Sequence, residues 1–484
     1  METDFSGALR RGALLAAAAL IPLSAQAADP FGTLAAVPPP GGLRAVPAPC
    51  QPADLGKPLD LADVVDLALC NNPQTRLGWA NARYQAALAG AAQSAFLPTL
   101  SADASVTRIR NEAARGGDPY TLRSAGIGLA YVLFDFGLRS ANLESARQLF
   151  AAAASTRDAT VQSVFLSAMQ AYFQKQASAA ALEAARQSEK AALESLNAAE
   201  ARYRVGNATP ADRLQARTAH SQATLNRIGA EGAAKTAQGM LANVLGSEPT
   251  RELELLPMPP AAPDAGFEAD VARLIEEARQ RRPDLAAAEA QFRAAQAGID
   301  AARAGHLPTL SLGVGAGRSQ ASGLPAYDSS TIGLTLTIPI FSGFSTTYKV
   351  HAAEAQADAQ AARREQLRLQ VALDVWNAYA SLATATQSVK TAEELLESAS
   401  QSERVAAGRY RAGVGSILDL LLSQAALANA RQSRIQAGYN WFVSRAALAQ
   451  SMGALDAGLL TTLSPGPSPA SGRGELREPL RGPN

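Results

Sequence analysis

Side chains that commonly carry catalysis or bind metals are sparse in this sequence. Its histidines, His220, His306 and His351, lie far apart, and none forms a His-x-x-x-His pair or lies near a cysteine. A zinc site is therefore not expected. The sequence has no Gly-x-x-x-x-Gly-Lys-Ser/Thr loop for phosphates and no Gly-x-Ser-x-Gly nucleophile elbow. We predict that the protein is not an enzyme and carries neither a cofactor nor a metal.

Cysteine chemistry is limited to Cys50 and Cys70. In an oxidising compartment, a disulfide between them would tie the N-terminal segment to the first helix. The alternative is two unrelated thiols. A lipid anchor on Cys50 is disfavoured, because this residue lies well past the apolar stretch near the N-terminus.

Polar residues recur at two matched turns, where their spacing indicates helix ends. A glycine just after a helix readily takes the left-handed conformation. An Asp three residues after a Ser or Thr N-cap is the acidic member of a capping box. Thr209 with Asp212, and Ser416 with Asp419, have this spacing. The Tyr and Asp side chains either only pack and cap the helix ends or also line an opening at the tips. The residues are Tyr203, Gly206 and Asp212 at the first turn and Tyr410, Gly413 and Asp419 at the second.

The two turns belong to a tandem duplication. The sequence Leu-Pro-Thr-Leu-Ser at 97–101 recurs at 307–311, and Arg-Tyr-Arg at 202–204 recurs at 409–411. Several single residues keep the same order between these motifs. One such match could arise by chance, but the ordered series indicates two copies of one structural unit.

The N-terminus is typical of an exported protein. Arg10 and Arg11 precede an apolar stretch at 12–23, and Ala-Gln-Ala at 25–27 is a small-x-small cleavage site. The apolar stretch is too short to span a membrane. We divide the chain into a signal peptide at 1–27, a Pro-rich segment at 28–59, a first repeat at 60–246, a linker at 247–267, a second repeat at 268–456 and a disordered tail at 457–484.

Each repeat is predicted to run helix, strand, strand, long helix, turn, helix. A period of two predicts β-hairpins at 99–134 and 309–341, each apolar on one face and small or polar on the other. Segments of this length and pattern are typical of transmembrane barrel strands, with aromatic residues at the membrane boundary. The alternative is a pair of amphipathic hairpins over a soluble core. The predicted aromatic girdle comprises Tyr120, Phe134, Phe136, Tyr327, Phe341 and Phe344.

The helices after the hairpins are unusually long. The segment 138–204 contains neither Pro nor Gly, and a helix of this length extends about 100 Å. In the second repeat, Val375, Leu382, Val389 and Leu396 recur every seven residues, which is typical of a coiled coil. The sequence therefore predicts helices that reach well beyond a globular domain.

Four strands per chain imply assembly with other chains. The smallest membrane barrels have about eight strands, and unpaired strand edges cannot face lipid. If the hairpins span a membrane, several copies must share one barrel.

At this level the chain resembles the TolC family of outer membrane efflux proteins over nearly the whole mature sequence. The motifs are Arg-Pro-Asp-Leu at 282–285, the segments 301–310 and 410–421, and the tandem repeat itself. The resemblance implies a mainly α fold with a membrane β-barrel contribution, in which four transmembrane strands per chain continue into a long coiled-coil α-helical barrel. It implies a homotrimer in the outer membrane, spanning into the periplasm.

The resemblance also implies a function. The chain would form the exit duct of a tripartite efflux or type I secretion system, as a passive conduit from periplasm to exterior. Its partners would be outer membrane lipid, a periplasmic adaptor protein and an inner-membrane transporter, either ABC-type or proton-driven. Drug, metal and protein cargo all stay open.

The family pattern assigns an entrance at the helix tips. Tyr410 and Asp419 match its entrance Tyr and first entrance Asp, and Asp212 matches the acid of the first repeat; Tyr203 is the counterpart of Tyr410.

This chain departs from the family pattern at two tip positions. Gly415 replaces an Arg and Leu422 replaces a second Asp. Arg411 and Arg213 are candidate substitutes for the missing Arg.

The sequence disfavours two other classes of protein. A formal net charge of +1 disfavours a nucleic-acid binder. A periplasmic adaptor, the coiled-coil linker protein of such systems, is the alternative function, but an adaptor has one helical hairpin flanked by β-rich domains. Two hairpin tips and two strand pairs favour the channel.

Overall fold

The computed structural model describes residues 29–37, 57–110, 119–251, 253–257 and 270–455. The predicted signal peptide, the predicted tail, Cys50 and most of the predicted linker lie outside these residues.

The two halves of the described chain contain the same four helices, and their lengths match pair by pair. The first helices have 11 residues each, the second 22, the third 67 and the fourth 35. This match confirms the duplication and the predicted long helix at 138–204. The helices are α1 Leu61–Asn71, α2 Pro73–Ser94, α3 Leu138–Arg204, α4 Pro210–Val244, α5 Val271–Arg281, α6 Pro283–Ala304, α7 Ser345–Arg411 and α8 Ile417–Ser451.

The helices pack through small and apolar side chains. The predicted seam of α7 is buried at Val375, Leu382 and Val389, which confirms the seven-residue pattern. The largest apolar core joins α1, α3, α4, α7 and α8. Its aromatic centre stacks Phe173 of α3 on Phe442 of α8, with ring centroids 4.9 Å apart. No helix in the described ranges is both long and apolar enough to cross a membrane.

Residues 253–257 of the linker pack against the helices of the first repeat. Leu255 forms an isolated parallel bridge with Leu59, and Leu253 is buried. The Tyr172 hydroxyl of α3 donates to the Leu256 carbonyl at 3.1 Å. The linker therefore packs against the middle of the first repeat over residues 253–257.

The four strands form one antiparallel sheet in the order β1-β2-β3-β4. They are β1 Thr99–Ile109, β2 Tyr120–Phe134, β3 Thr309–Ala321 and β4 Tyr327–Thr337. The two hairpins thus lie side by side, and β1 and β4 are the edge strands. The second hairpin ends at Thr337, earlier than the predicted 341, because Pro339 has no N–H to donate to a ladder.

The sheet has an apolar face and a polar face, as the period of two predicts. The register aligns large apolar residues across all four strands on the apolar face: Leu100, Leu129, Val314 and Ile332. It aligns small or polar residues on the polar face: Ser101, Gly128, Gly315 and Thr331. By alternation, Leu334 and Leu336 belong to the apolar face, whereas Ile338 lies beyond the end of β4.

The aromatic residues of the predicted girdle lie at both ends of the sheet, and those at the end nearest the helices form two pairs. Here Phe134 and Phe136 make an edge-to-face pair at 4.7 Å, and Phe341 and Phe344 make another at 5.5 Å. At the far end, Tyr120 and Tyr327 begin β2 and β4, so they lie at strand ends as predicted, but they do not share the apolar face. Tyr120 and Tyr327 lie at positions of the polar face, because they alternate in phase with Gly126 and Ser329, respectively.

At each level of the described part of the molecule, namely the sheet, the helices beside it and the helices toward the tips, two elements pack against a neighbour on one side only. Near the sheet, α3 packs on α2 and α6, and α7 packs on α6. Toward the tips, α3 packs on α4 and α8, and α7 packs on α8. The outer elements are therefore β1 and β4 in the sheet, α2 and α7 beside it, and α4 and α7 toward the tips.

Candidate functional site

The predicted entrance residues lie at the two helical tips, which the fold brings together. The turns follow α3 and α7, and they contain Gly206 and Gly413 with φ of 76° and 79°. Both glycines take the left-handed conformation predicted for them. The helices α3 and α4 form the first helical hairpin, and α7 and α8 form the second. A small apolar cluster joins these two hairpins just behind the turns, through Ala199, Ala216, Ala407, Tyr410, Ile417 and Leu420.

The capping box is complete at the first tip and half-formed at the second. The Asp212 carboxylate accepts from the Thr209 N–H at 2.8 Å, and the Thr209 hydroxyl oxygen accepts from the Asp212 N–H at 3.2 Å. At the second tip, the Ser416 hydroxyl oxygen accepts from the Asp419 N–H at 3.0 Å. In the described second tip, the Asp419 carboxylate accepts no hydrogen bond from the Ser416 N–H. The prediction of a complete capping box at this tip is therefore wrong for one of its two hydrogen bonds. The Asp419 carboxylate is exposed.

Tyr410 is the buried member of the predicted set, and it meets a residue from the other hairpin. Its side chain is 6% exposed. The Arg202 guanidinium of α3 lies over the Tyr410 ring, 4.1 Å from the centroid. Burial raises the pKa of the Tyr410 hydroxyl, and the nearby Asp212 carboxylate adds to this rise while Arg202 opposes it. Tyr410 therefore stays neutral at physiological pH.

Arg202 also binds the backbone where α7 ends. Its guanidinium donates to the carbonyl oxygens of Tyr410 and Arg411. These carbonyls lie in the last turn of α7, where the helix leaves acceptors without intrahelical partners. Arg202 of the first helical hairpin thus binds the end of α7 at the tip of the second helical hairpin.

Sequence reasoning missed Arg202 and named two other arginines instead. Arg213 lies over the Tyr203 ring at 4.7 Å, so this contact stays within the first hairpin. Arg411 contributes its backbone carbonyl to the Arg202 contact. The recurring Arg-Tyr-Arg motif was the available signal, because it places a guanidinium next to each tip tyrosine.

The second tip is crowded at residue 415, where the family pattern places an arginine. A Cβ on Gly415 would lie 3.0 Å from the Arg409 Cβ and 3.1 Å from the Tyr410 nitrogen. The Gly415 N–H donates to the Arg409 carbonyl at 3.1 Å. The turn folds back on the end of α7, so a side chain larger than glycine at residue 415 would require its neighbours to shift. Leu422, the other departure, is 61% exposed on α8.

The remaining predicted sites lie away from the tips. Cys70 lies at the end of α1, but Cys50 is outside the described residues, so their disulfide stays a prediction. Across the described ranges, no three His, Cys, Asp or Glu side chains are grouped closely enough to hold a metal ion.

Comparison with known proteins connects this geometry to a family. The model of the outer membrane efflux protein family matches residues 64–247 and 274–454, one match in each half of the chain. Protein CyaE of Bordetella pertussis is 33% identical, over 83% of this chain and 86% of that protein. The outer membrane protein TolC of Vibrio cholerae is 26% identical, over 82% of this chain and 91% of that protein.

A solved structure has the same fold. The Campylobacter jejuni CmeC outer membrane channel superimposes with a TM-score of 0.75, over 81% of this chain and 85% of that one, at 20% identity. The tandem-repeat fold of long helices and a few strands is therefore that of known outer membrane channels.

Proposed function

The chain belongs to the outer membrane efflux protein family and is an outer membrane channel subunit of a tripartite efflux or secretion system; from this premise we propose that three copies assemble into one passive duct. The duct crosses the outer membrane through the strands and extends into the periplasm through the helices. Its entrance lies at the helical tips.

The sheet edges support assembly. Within the described chain, β1 and β4 each pair with a neighbour on one side only. Unpaired N–H and C=O groups cannot face hydrocarbon. Pairing β1 of one copy with β4 of the next satisfies these groups, and three copies give twelve strands.

The helical layer offers matching apolar edges. Leu77, Tyr84 and Leu88 of α2 are 62%, 61% and 41% exposed. Leu369 and Trp376 of α7 are 63% and 54% exposed. The spacing of each set puts its members on one side of a helix. A contact between α2 of one copy and α7 of the next is heterologous, and such a contact forms a ring when its rotation is one third of a turn.

Light scattering on detergent-extracted protein tests the assembly. We expect the mass of three chains after subtraction of the detergent. A stable, conducting monomer would contradict both the shared barrel and the proposed duct.

We propose that Asp419 lines the entrance. Its exposed carboxylate makes no capping bond in the described second tip, so its charge is available to the opening. Three such carboxylates on a symmetric tip give a negative potential that favours cations. Leu422 in place of a second acid makes this ring weaker than in channels that have two.

Asp419→Asn is expected to lower cation selectivity and to weaken block by multivalent cations in planar-bilayer recordings. The substitution removes the charge but retains the backbone N–H that donates to Ser416, so the cap persists. Asp212→Asn is the matched control, because it removes the acid of the complete capping box instead. Unchanged selectivity in Asp419→Asn would assign Asp419 to the helix start alone.

The proposed partners follow from the tripartite system. A periplasmic adaptor contacts the helical hairpins, and an inner-membrane transporter supplies energy. The sequence has no P-loop of its own, which supports a passive, non-enzymatic role for this subunit.

A further inference from the structure

The apolar face of the sheet ends in a cluster of arginines. Arg108 of β1, Arg123 of β2 and Arg318 of β3 lie near the strand ends farthest from the helices. By alternation all three share the apolar face with Val106 and Ala125. We call these three residues the arginine cluster.

The register places the three guanidinium groups along a diagonal. Val106 is opposite Arg123, and Ala125 is opposite Arg318. Each arginine is therefore the diagonal neighbour of the next, at a Cα separation of about 7–8 Å. Like charges at this spacing repel unless an anion lies between them.

The described acids on this face do not balance the cluster. Among the described strand residues in phase with it, Asp328 of β4 is the one acid, and its carboxylate lies 3.8 Å from the Arg318 guanidinium. One carboxylate neutralises one guanidinium. Arg108 and Arg123 are exposed and make no hydrogen bond or ion pair within the described chain. Within the described residues, two positive charges per chain thus lack a counter-charge.

The height of the cluster matches a membrane boundary. Leu310 marks the helix-side end of the apolar face, since it pairs with Phe134 of the aromatic girdle. Arg318 is eight positions farther along β3, which is about 27 Å along the strand and about 20 Å of height at a tilt of roughly 40°. Arg123 and Arg108 lie farther out. Because an outer-membrane apolar band is about 25 Å tall, the cluster lies at its outer edge.

We infer that the arginine cluster binds the phosphorylated headgroups of an anionic glycolipid in the outer leaflet of the membrane. A guanidinium donates two parallel hydrogen bonds to a phosphate and is always charged. The side chains are long enough to keep their heads in the polar layer while their stems cover apolar surface. Tyr120 and Tyr327 lie on the polar face, so the three arginines are the large polar side chains at the outer edge of the apolar face. The inference rests on the proposed function, which turns the apolar face toward lipid.

Lipid binding to the assembled protein in neutral detergent tests this inference. The probe is bis-phosphorylated lipid A, titrated while native mass spectrometry records the bound fraction. We expect the triple variant Arg108→Gln/Arg123→Gln/Arg318→Gln to bind at least about tenfold more weakly than the unmodified protein, since each lost charged hydrogen bond costs about this factor. The triple Lys variant keeps the charge and should bind with intermediate affinity. Arg217→Gln, an exposed arginine on α4, should bind like the unmodified protein.

Two further arms separate the sources of phosphate. Dephosphorylated lipid A should bind the unmodified protein and the Gln variant equally and weakly. Inorganic phosphate should not displace lipid A at equal concentration; full displacement would indicate a free-phosphate site and overturn the lipid assignment. Equal binding of bis-phosphorylated lipid A to the unmodified protein and both triple variants would also overturn it.

Measuring channel conductance separates failure of the lipid inference from failure of the proposed function. In phosphatidylcholine bilayers the Gln variant should conduct as the unmodified trimer does. If both conduct and bind lipid A equally, the lipid inference fails alone. If the unmodified protein neither forms trimers nor conducts, the proposed function fails first.

Discussion

Replacing Arg202 with glutamine is expected to raise the resting conductance of the channel by loosening its helical tips. Arg202 of α3 holds the end of α7 through the Tyr410 ring and the carbonyls of Tyr410 and Arg411. A charged hydrogen bond contributes about 1.5–3 kcal/mol, and a cation–π contact contributes about 0.5–2 kcal/mol. Glutamine has neither the charge nor the planar cation.

Concerted opening would multiply this effect. In the proposed trimer, a loss of about 2 kcal/mol per copy sums over the three copies to about 6 kcal/mol of destabilisation of the closed tips. A difference of about 5.5 kcal/mol suffices to convert a 1:99 equilibrium into 99:1. The expected change is therefore from a mostly closed to a mostly open entrance.

Single-channel recording in planar bilayers measures the effect, and Arg213→Gln is its matched control. Arg213 has the same chemistry at the same tip, but its ring contact with Tyr203 stays within one hairpin. Its loss should leave the resting conductance nearly unchanged. An equal response of the two variants would show that hairpin stability, not the link between hairpins, governs the entrance.

The second large effect is expected in the sheet, where Leu334→Arg should destabilise the membrane-inserted protein by about 2–4 kcal/mol per chain. Leu334 is 67% exposed and lies opposite Leu312 on the apolar face. A guanidinium at this position would have to enter the hydrocarbon layer. Thr335, its neighbour in β4, belongs to the polar face. Thr335→Arg should cost little, because its side chain remains in water.

Equilibrium unfolding from lipid vesicles measures the difference between the two variants. Cysteine labelling gives an independent measurement: a water-soluble reagent should modify Thr335→Cys and spare Leu334→Cys. Protection of Thr335→Cys combined with labelling of Leu334→Cys would reverse the assignment of the two faces.

Local sequence patterns predicted most of the fold. The absence of Pro and Gly within 138–204 gave the bounds of α3, because helix termination needs a local residue. The period of two predicted all four strands. Pro339 was also visible in the sequence, and its missing N–H was reason enough to end β4 early. These features depend on residues adjacent in the chain.

The features that sequence reasoning missed depend on how separate elements meet. Arg202 contacts Tyr410 only because the two hairpins pack with a particular rotation, which no local pattern encodes. The matching spacing of Ser416 and Asp419 predicted a full capping box, yet the geometry of a turn that folds back on α7 leaves one half unmade. The faces of Tyr120 and Tyr327 followed from counting along the register, which needs the strand bounds.

The equal helix lengths of the two halves constrain how such a chain can evolve. One extra residue in α3 alone would turn all later side chains by about 100° and lift the first tip by about 1.5 Å relative to the second. The contact between the tips would then be lost, unless α4, α7 and α8 each gained a residue at the same level, because these helices pack on one another toward the tips. Substitutions carry no such penalty. Lineages of this chain should therefore diverge widely in sequence, while they gain or lose helical length only as matched sets of insertions or deletions in both arms of both helical hairpins.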